Sequence, residues 1–173
     1  KVELLLFSDQ IELFVPPKKG RKHVLRLIRD LFAHERQSTG TNITVALNHL
    51  IHVLHRRSIV MLMSDFMDDG FEPALRAVSR KHDTIAVQLV DPVEVELPDV
   101  GLMEVTDAET GERVMIDTSS DAVRQLYEEE ARSRQLTVDR MFRRLKVDKI
   151  PIITDEGYVD PLIRFFRKRN RMI

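Results

Sequence analysis

The residues best placed to do chemistry are Ser64 and Asp65, which directly follow the apolar run 59–63. An unbroken apolar run of strand length is typical of a strand buried on both faces of a sheet, so we expect a central strand here. Ligands of open α/β sheets bind at the carboxyl ends of parallel strands. Asp65 is therefore the first functional candidate. Alternatively, Ser64 or Asp65 caps the helix that is predicted to begin near Phe71.

The elements that must position these residues follow from hydrophobic periodicity. Two apolar runs around the turn 8–10 predict an antiparallel hairpin whose second strand ends at Pro16, and a second hairpin is predicted around 107–111. An extended connector is predicted over 93–98. Helices and single strands alternate elsewhere, which predicts an α/β fold: a three-layer, doubly wound, mostly parallel sheet with an antiparallel edge hairpin. The predicted helices are 21–35, 43–54, 71–81, 121–145 and one from Asp160, and the predicted single strands are 59–63, 84–90 and 150–153.

Chain direction predicts which polar residues share an edge of the sheet. If the first strand runs upward, the turns and strand ends that arrive at the top carry Ser8, Asp9, Thr41, Asp65, Asp91 and Thr154. Carboxylates and hydroxyls without thiols suit a hard cation such as Mg²⁺. The same residues give little indication of a catalytic site, because the sequence has no nucleophile elbow and no phosphate-binding glycine loop.

Three histidines on the second predicted helix, His49, His52 and His55, raise the alternative of a zinc site. Residues spaced by three positions point about 60° apart around a helix, so the first and last of these histidines point about 120° apart. One ion is therefore difficult for all three to share. A solvated polar face is the favoured interpretation.

Composition narrows the function further. The chain has 173 residues, 43% of them hydrophobic, and is predicted to form a single domain over 1–173. A net charge of -1 argues against a general polyanion binder, and the absence of cysteine suits a reducing compartment. No run is apolar over the length of a membrane span. Lys1 opens almost directly onto a strand, so we expect the domain to be incomplete at its N-terminus.

Several stretches spread along the chain resemble one family, the bacterial domain of unknown function family fifty-eight, whose C-terminal conserved region is similar to the von Willebrand factor type A domain. In that domain a metal-ion-dependent adhesion site uses a D-x-S-x-S motif, a Thr and an Asp. Thr41 and Asp65 match the Thr and the Asp, whereas the motif itself would lie before Lys1. The stretches that carry the resemblance are 5–9, 14–20, 40–43, 63–66, 90–92 with Glu94, 97–101, 107–111, and Tyr158 with Pro161, Leu162, Phe165 and Phe166.

The resemblance implies a non-enzymatic interaction module that works with a MoxR-type AAA+ ATPase. It implies a cytoplasmic location, with membrane association through upstream segments. Mg²⁺ is implied for a full-length protein, and we expect no tight binding by this chain, because Thr41 and Asp65 supply too few ligands. The competing functions are a metal-dependent hydrolase that uses Asp65 and Asp91, and a nucleic-acid binder that uses the basic stretch 164–171.

The resemblance also predicts a gap in the sheet. In the von Willebrand factor type A domain the first strand would lie between the strands 2–7 and 59–63, and this chain lacks that strand. Unpaired backbone groups in a buried slot are costly, so something must fill it. We expect an upstream segment, a strand from a neighbouring molecule in a strand-exchanged oligomer, or direct pairing of 2–7 with 59–63.

Overall fold

The computed structural model of the chain describes residues 1–106 and 113–170, so the predicted turn 107–111 lies outside the described residues. The chain groups into two compact units. The first comprises Lys1–His55 and Asp68–Val78, and the second comprises Arg56–Met67 and most of the chain from Ser79 onward. The single domain that the sequence predicts therefore stays a prediction.

The first unit begins with the predicted hairpin. Strand β1 (Val2–Phe7) pairs antiparallel with β2 (Ile11–Lys18). The prediction that β2 ends at Pro16 is wrong. The pairing register shifts between Val2 and Leu4, opposite the two prolines, and such a bulge accommodates residues that lack an N–H for the ladder.

Two helices complete the first unit within its N-terminal segment, and both were predicted. Helix α1 spans Arg21–Ala33, and α2 spans Ile43–Val53. Asn42 caps α2 by accepting the N–H of Val45 at 3.1 Å, as expected for an Asn at this position. The buried apolar side chains of this segment come from β2, from both helices and from the residue that follows α2: Val15, Leu27, Ile43, Ala46, Leu47, Leu50 and Leu54.

The elements from Ile59 onward are β3 Ile59–Ser64, α3 Glu72–Lys81, β4 Asp83–Val90, β5 Leu102–Thr106, β6 Arg113–Asp117, α4 Asp121–Leu145, β7 Asp148–Ile153 and α5 Val159–Asn170. The second unit is built on a three-stranded parallel sheet in the order β3-β4-β7. Helix α3, most of which belongs to the first unit, connects β3 to β4 in the sequence, and the predicted second hairpin, in which β5 pairs antiparallel with β6, is confirmed. Mixed α/β architecture with a parallel sheet and antiparallel hairpins is thus confirmed.

Two helices lie on opposite faces of this sheet. On one face Ile85, Val87 and Ile150 form a buried cluster, against which Leu162 and Phe165 of α5 pack. On the other face Gln88 meets Gln135 of α4 through paired side-chain hydrogen bonds. The second unit therefore has a helix-sheet-helix arrangement.

Strand β3 is an edge strand among the described residues, and its predicted burial on both faces is wrong. Its side chains alternate, because Ile59, Met61 and Met63 are 66%, 38% and 58% exposed whereas Val60 and Leu62 are buried. An apolar run indicates a strand, but it does not show that a neighbour covers both faces. The exposed side lines an open groove of about 430 Å³ with Met61, Met63, Val87, Leu89, Ile152, Ile153, Thr154, Glu156, Tyr158 and Leu162.

The structure bears on one of the three ways in which the predicted slot beside β3 could be filled. β1 pairs with β2 and β3 pairs with β4 in separate sheets, so direct pairing of β1 with β3 is not the arrangement observed. The other two ways of filling the slot stay predictions. Across the described ranges, no helix combines the length and the apolar character that crossing a membrane requires.

The connector after β4 differs from the extended segment that the sequence predicts. Pro92–Glu94 forms one turn of 3-10 helix. Asp91 starts this turn, because its carboxylate accepts the N–H of Val93 at 3.0 Å, and Pro92 has the fixed φ that the first helical position requires.

Candidate functional site

Asp65 lies in a tight turn at the carboxyl end of β3. Its Oδ1 accepts the N–H of Met67 at 3.1 Å and the hydroxyl of Ser64 at 3.2 Å. The Ser64 hydroxyl in turn accepts the N–H of Phe66 at 3.1 Å. These bonds stabilise the turn itself, and the alternative in which Ser64 or Asp65 caps α3 stays a prediction. We call residues 64–67 the Asp65 turn.

The Asp65 turn is held in an uncommon backbone conformation. Phe66 has a φ of 60°, in the left-handed region that bulky residues rarely occupy. Its ring is 4% exposed and packs edge-on against Phe142 of α4, with the ring centroids 5.0 Å apart. Such conformations persist only where the surroundings fix them, and they are frequent at functional sites.

Two further candidates follow neighbouring strands of the same sheet. Asp91 directly follows β4, and Thr154 directly follows β7. The Thr154 N–H donates to the carbonyl of Val90 at 3.0 Å, which ties the end of β7 to the end of β4. Since β3, β4 and β7 are parallel, Asp65, Asp91 and Thr154 lie at one edge of the sheet. We call these three residues the rim.

A third carboxylate, Glu94, lies near the rim, and the sequence did not identify it as a candidate. Burial raises its pKa above the ordinary value, and the negative charges of Asp65 and Asp91 raise it further. The Arg134 guanidinium acts in the opposite direction. The rim is therefore an acidic surface whose charges interact.

The remaining candidates lie in the first unit. Ser8 is 3% exposed, its hydroxyl donates to Asp9 Oδ1 at 3.2 Å, and its carbonyl accepts the N–H of Asn42 at 2.9 Å. A Cβ placed on Gly40 would lie 3.4 Å from the Asp9 Cβ. The hairpin turn thus packs against the loop that carries Thr41, which is half-buried.

Glu12 anchors the beginning of that loop. Its carboxylate lies 2.6 Å from His34 Nε2 and accepts the N–H groups of Gln37 at 3.2 Å and Ser38 at 3.4 Å. The hydrogen bond with His34 is the largest cause that lowers the pKa of Glu12 to about 2, and the N–H groups of Gln37 and Ser38 lower it further. Sequence reasoning missed this residue because a single Glu in a strand gives no sign of its partners.

These residues belong to a recognised family. The family described as Protein of unknown function DUF58 matches residues 1–137. The chain belongs to this family. Family membership, predicted from the resembling stretches, is thereby confirmed.

Relatives of this DUF58 chain are uncharacterized proteins of mycobacteria. Those of Mycobacterium bovis and Mycobacterium tuberculosis strain H37Rv are each 30% identical over 161 residues, which is 91% of this chain and 50% of the relative. The chain thus spans about half the length of these curated relatives. A Mycobacterium avium protein is 29% identical, and the match covers 94% of it.

One solved structure is similar to this chain. It is the crystal structure of the conserved hypothetical protein BatB from Bacteroides thetaiotaomicron, with a TM-score of 0.47 and 12% identity. The match covers 83% of the DUF58 chain and 78% of BatB.

The described residues of this DUF58 chain include no group of three or more His, Cys, Asp or Glu side chains that could hold an ion. Thr41 belongs to the first unit and Asp65 to the second, so their sharing of one ion stays a prediction. The oxygen chemistry of the rim suits a hard cation. The expectation that this chain binds Mg²⁺ weakly or not at all stays a prediction.

The three histidines of the zinc alternative have separate surroundings. His49 packs edge-on against Phe14 with the ring centroids 5.1 Å apart. His52 Nδ1 lies 2.7 Å from the carbonyl of Asn48, one turn earlier on α2. His55 lies beyond the end of the helix at Val53.

Proposed function

We propose that this DUF58 chain is a non-enzymatic protein-binding module that presents its rim to a partner, and that the partner is a MoxR-type AAA+ ATPase. The observation that carries the proposal is the position of Asp65, Asp91 and Thr154 at the carboxyl ends of three adjacent parallel strands. This edge is where open α/β sheets bind their ligands. Exposed carboxylates on a fixed turn are suited to recognition.

The chemistry of recognition in this proposal is ionic. An acidic rim attracts cationic side chains directly, and where further oxygen ligands are supplied by a longer protein it binds Mg²⁺ and through it an acidic side chain of the partner. The rim residue expected to ligate the ion is Asp65, and the family resemblance predicts Thr41 as a further ligand. A cytoplasmic location, with membrane attachment through segments outside these residues, belongs to the same proposal.

The two competing functions have less support. Arg169 of the basic helix α5 forms a hydrogen-bonded ion pair with Asp83, and its second terminal nitrogen lies 3.3 Å from Asp148. Part of the basic charge therefore fastens α5 to the sheet. For a metal-dependent hydrolase, the described rim offers acidic groups, but the described residues include no group of three or more His, Cys, Asp or Glu side chains that could hold the metal ion.

A binding experiment with matched variants tests the proposal. Affinity for the MoxR-type ATPase of the same organism would be measured by interferometry, with and without Mg²⁺, for the full chain and for Asp65→Asn. We expect Asp65→Asn to weaken binding by about tenfold or more, as for loss of a charged contact. Glu129→Gln removes the same charge from exposed surface of α4 and should bind normally. Equal binding by all three proteins would refute the proposal.

A further inference from the structure

Gln88 is a buried polar residue within the otherwise apolar stretch 85–90 of β4. It is 5% exposed, between Val87 and Leu89 of β4, and it lies opposite Ser64 in the ladder with β3. A buried amide is unfavourable unless its donors and acceptors are all satisfied. Its presence therefore requires a structural or functional reason.

The side-chain amide of Gln88 makes four hydrogen bonds, which is its full capacity. Nε2 donates to the carbonyl of Asp65 at 3.4 Å and to Gln135 Oε1 at 2.9 Å. Oε1 accepts from Gln135 Nε2 at 3.0 Å and from Lys149 Nζ at 3.2 Å. The first of these bonds connects the network to the Asp65 turn.

The chemistry of its partners fixes which way this amide points. Lys149 carries donors and no acceptor, so the atom facing it must be the oxygen of Gln88. The nitrogen then faces the Asp65 carbonyl. Asp139 of α4 holds Lys149 in an ion pair and also accepts from Gln135 Nε2 at 3.0 Å, which orients the second amide.

Helix α4 also contacts the Asp65 turn in a second way. Phe142, 2% exposed, packs against Phe66, the residue after Asp65. Gln88 therefore binds the carbonyl of Asp65, and Phe142 packs against the next residue, Phe66. Gln135, Asp139 and Phe142 all lie in the C-terminal half of α4.

We propose that Gln88 is a positioning residue for Asp65, through which α4 fixes the turn that presents the rim carboxylate. Only the role of Asp65 in binding a partner is taken from the proposed function; the positioning of its turn by Gln88 does not depend on it. Loss of the donor at position 88 should loosen the turn without unfolding the sheet.

Amide hydrogen exchange, followed by NMR on the full chain, tests this inference. Gln88→Glu keeps the length of the side chain and its contact with Lys149, but a carboxylate can donate neither to the Asp65 carbonyl nor to Gln135 Oε1. We expect the Phe66 and Met67 amides to exchange about threefold to tenfold faster, the factor expected for loss of one net hydrogen bond. Amides of the β4–β7 ladder should keep their rates.

Two results would overturn the inference. One is unchanged exchange at Phe66 and Met67, and the other is acceleration of the same size throughout β4 and β7, which indicates general destabilisation. If Gln88→Glu does not fold, Gln88→Met serves instead, because an uncharged side chain of similar length also lacks the donor to the Asp65 carbonyl and should also accelerate exchange at the turn. Hydrogen exchange is measured without a partner, so a negative result for Gln88 can be distinguished from a failure of ATPase binding.

Discussion

At the scale of single residues, Asp65 is placed by contacts that the sequence does not reveal. Its own turn bonds with Ser64 and Met67 are local and could be expected of a Ser-Asp pair. Phe66 in the left-handed region and the carbonyl contact with Gln88 could not, because neither leaves a pattern in the order of residues. Gln88 does leave a weak sign, since it is the one amide within the run 84–90.

The ligand count at Asp65 leads to a prediction about metal binding. We expect this chain to bind Mg²⁺ weakly or not at all, because Asp65 and Thr41 supply too few oxygen ligands for a hard ion. Titration calorimetry of the chain with MgCl₂ measures this directly. A tight, stoichiometric site that survives in Asp65→Asn would mean that other residues form it.

Glu12 leads to a prediction about pH. Its pKa is about 2 in the folded chain against an ordinary value of 4.5, so its interactions stabilise the fold fully above that value and are lost as the pH falls through about 2. We expect Glu12→Gln to lower stability at pH 7 and to flatten the loss of stability between pH 5 and pH 2. Urea unfolding midpoints measured across this range check it. Glu35→Gln, at an exposed position in the same loop, should behave like the wild type.

At the scale of elements, most helices and strands could be predicted because hydrophobic periodicity and caps are local signals. The bounds of α4, Asp121–Leu145, agree with the predicted range, and Asn42 caps α2. The wrong predictions concern the contacts that strands make with neighbouring elements. An apolar run predicted β3 but not its open edge, and two prolines suggested an end to β2 where a bulge accommodates them.

The packing of α4 on the Asp65 turn predicts a large effect of one substitution. Phe142→Ala removes a ring that is 2% exposed and leaves a cavity beside Phe66, so the free energy of unfolding should fall by about 3–5 kcal/mol. Leu126→Ala, at a position 60% exposed on the same helix, should change it by less than about 0.5 kcal/mol. Equal effects of the two substitutions in chemical denaturation would show that Phe142 does not anchor the helix.

At the scale of the whole molecule, the sequence predicted the family and the α/β class, and both are confirmed. The division into two units was not predicted, because contact density is a property of the folded chain. Ser8, Asp9 and Thr41 lie in the first unit, whereas Asp65, Asp91 and Thr154 lie in the second. Substitutions in the two sets of candidate residues can therefore be tested separately.

The central claim, that the rim is the surface that binds a partner, is tested most directly by NMR. The ¹⁵N-labelled chain would be titrated with the MoxR-type ATPase, and the amide shifts or line broadening would be recorded for each residue. We expect the largest changes at Asp65, Asp91 and Thr154, with little change along the basic helix α5. Changes confined to α5, with the rim unaffected under saturating ATPase, would contradict the account.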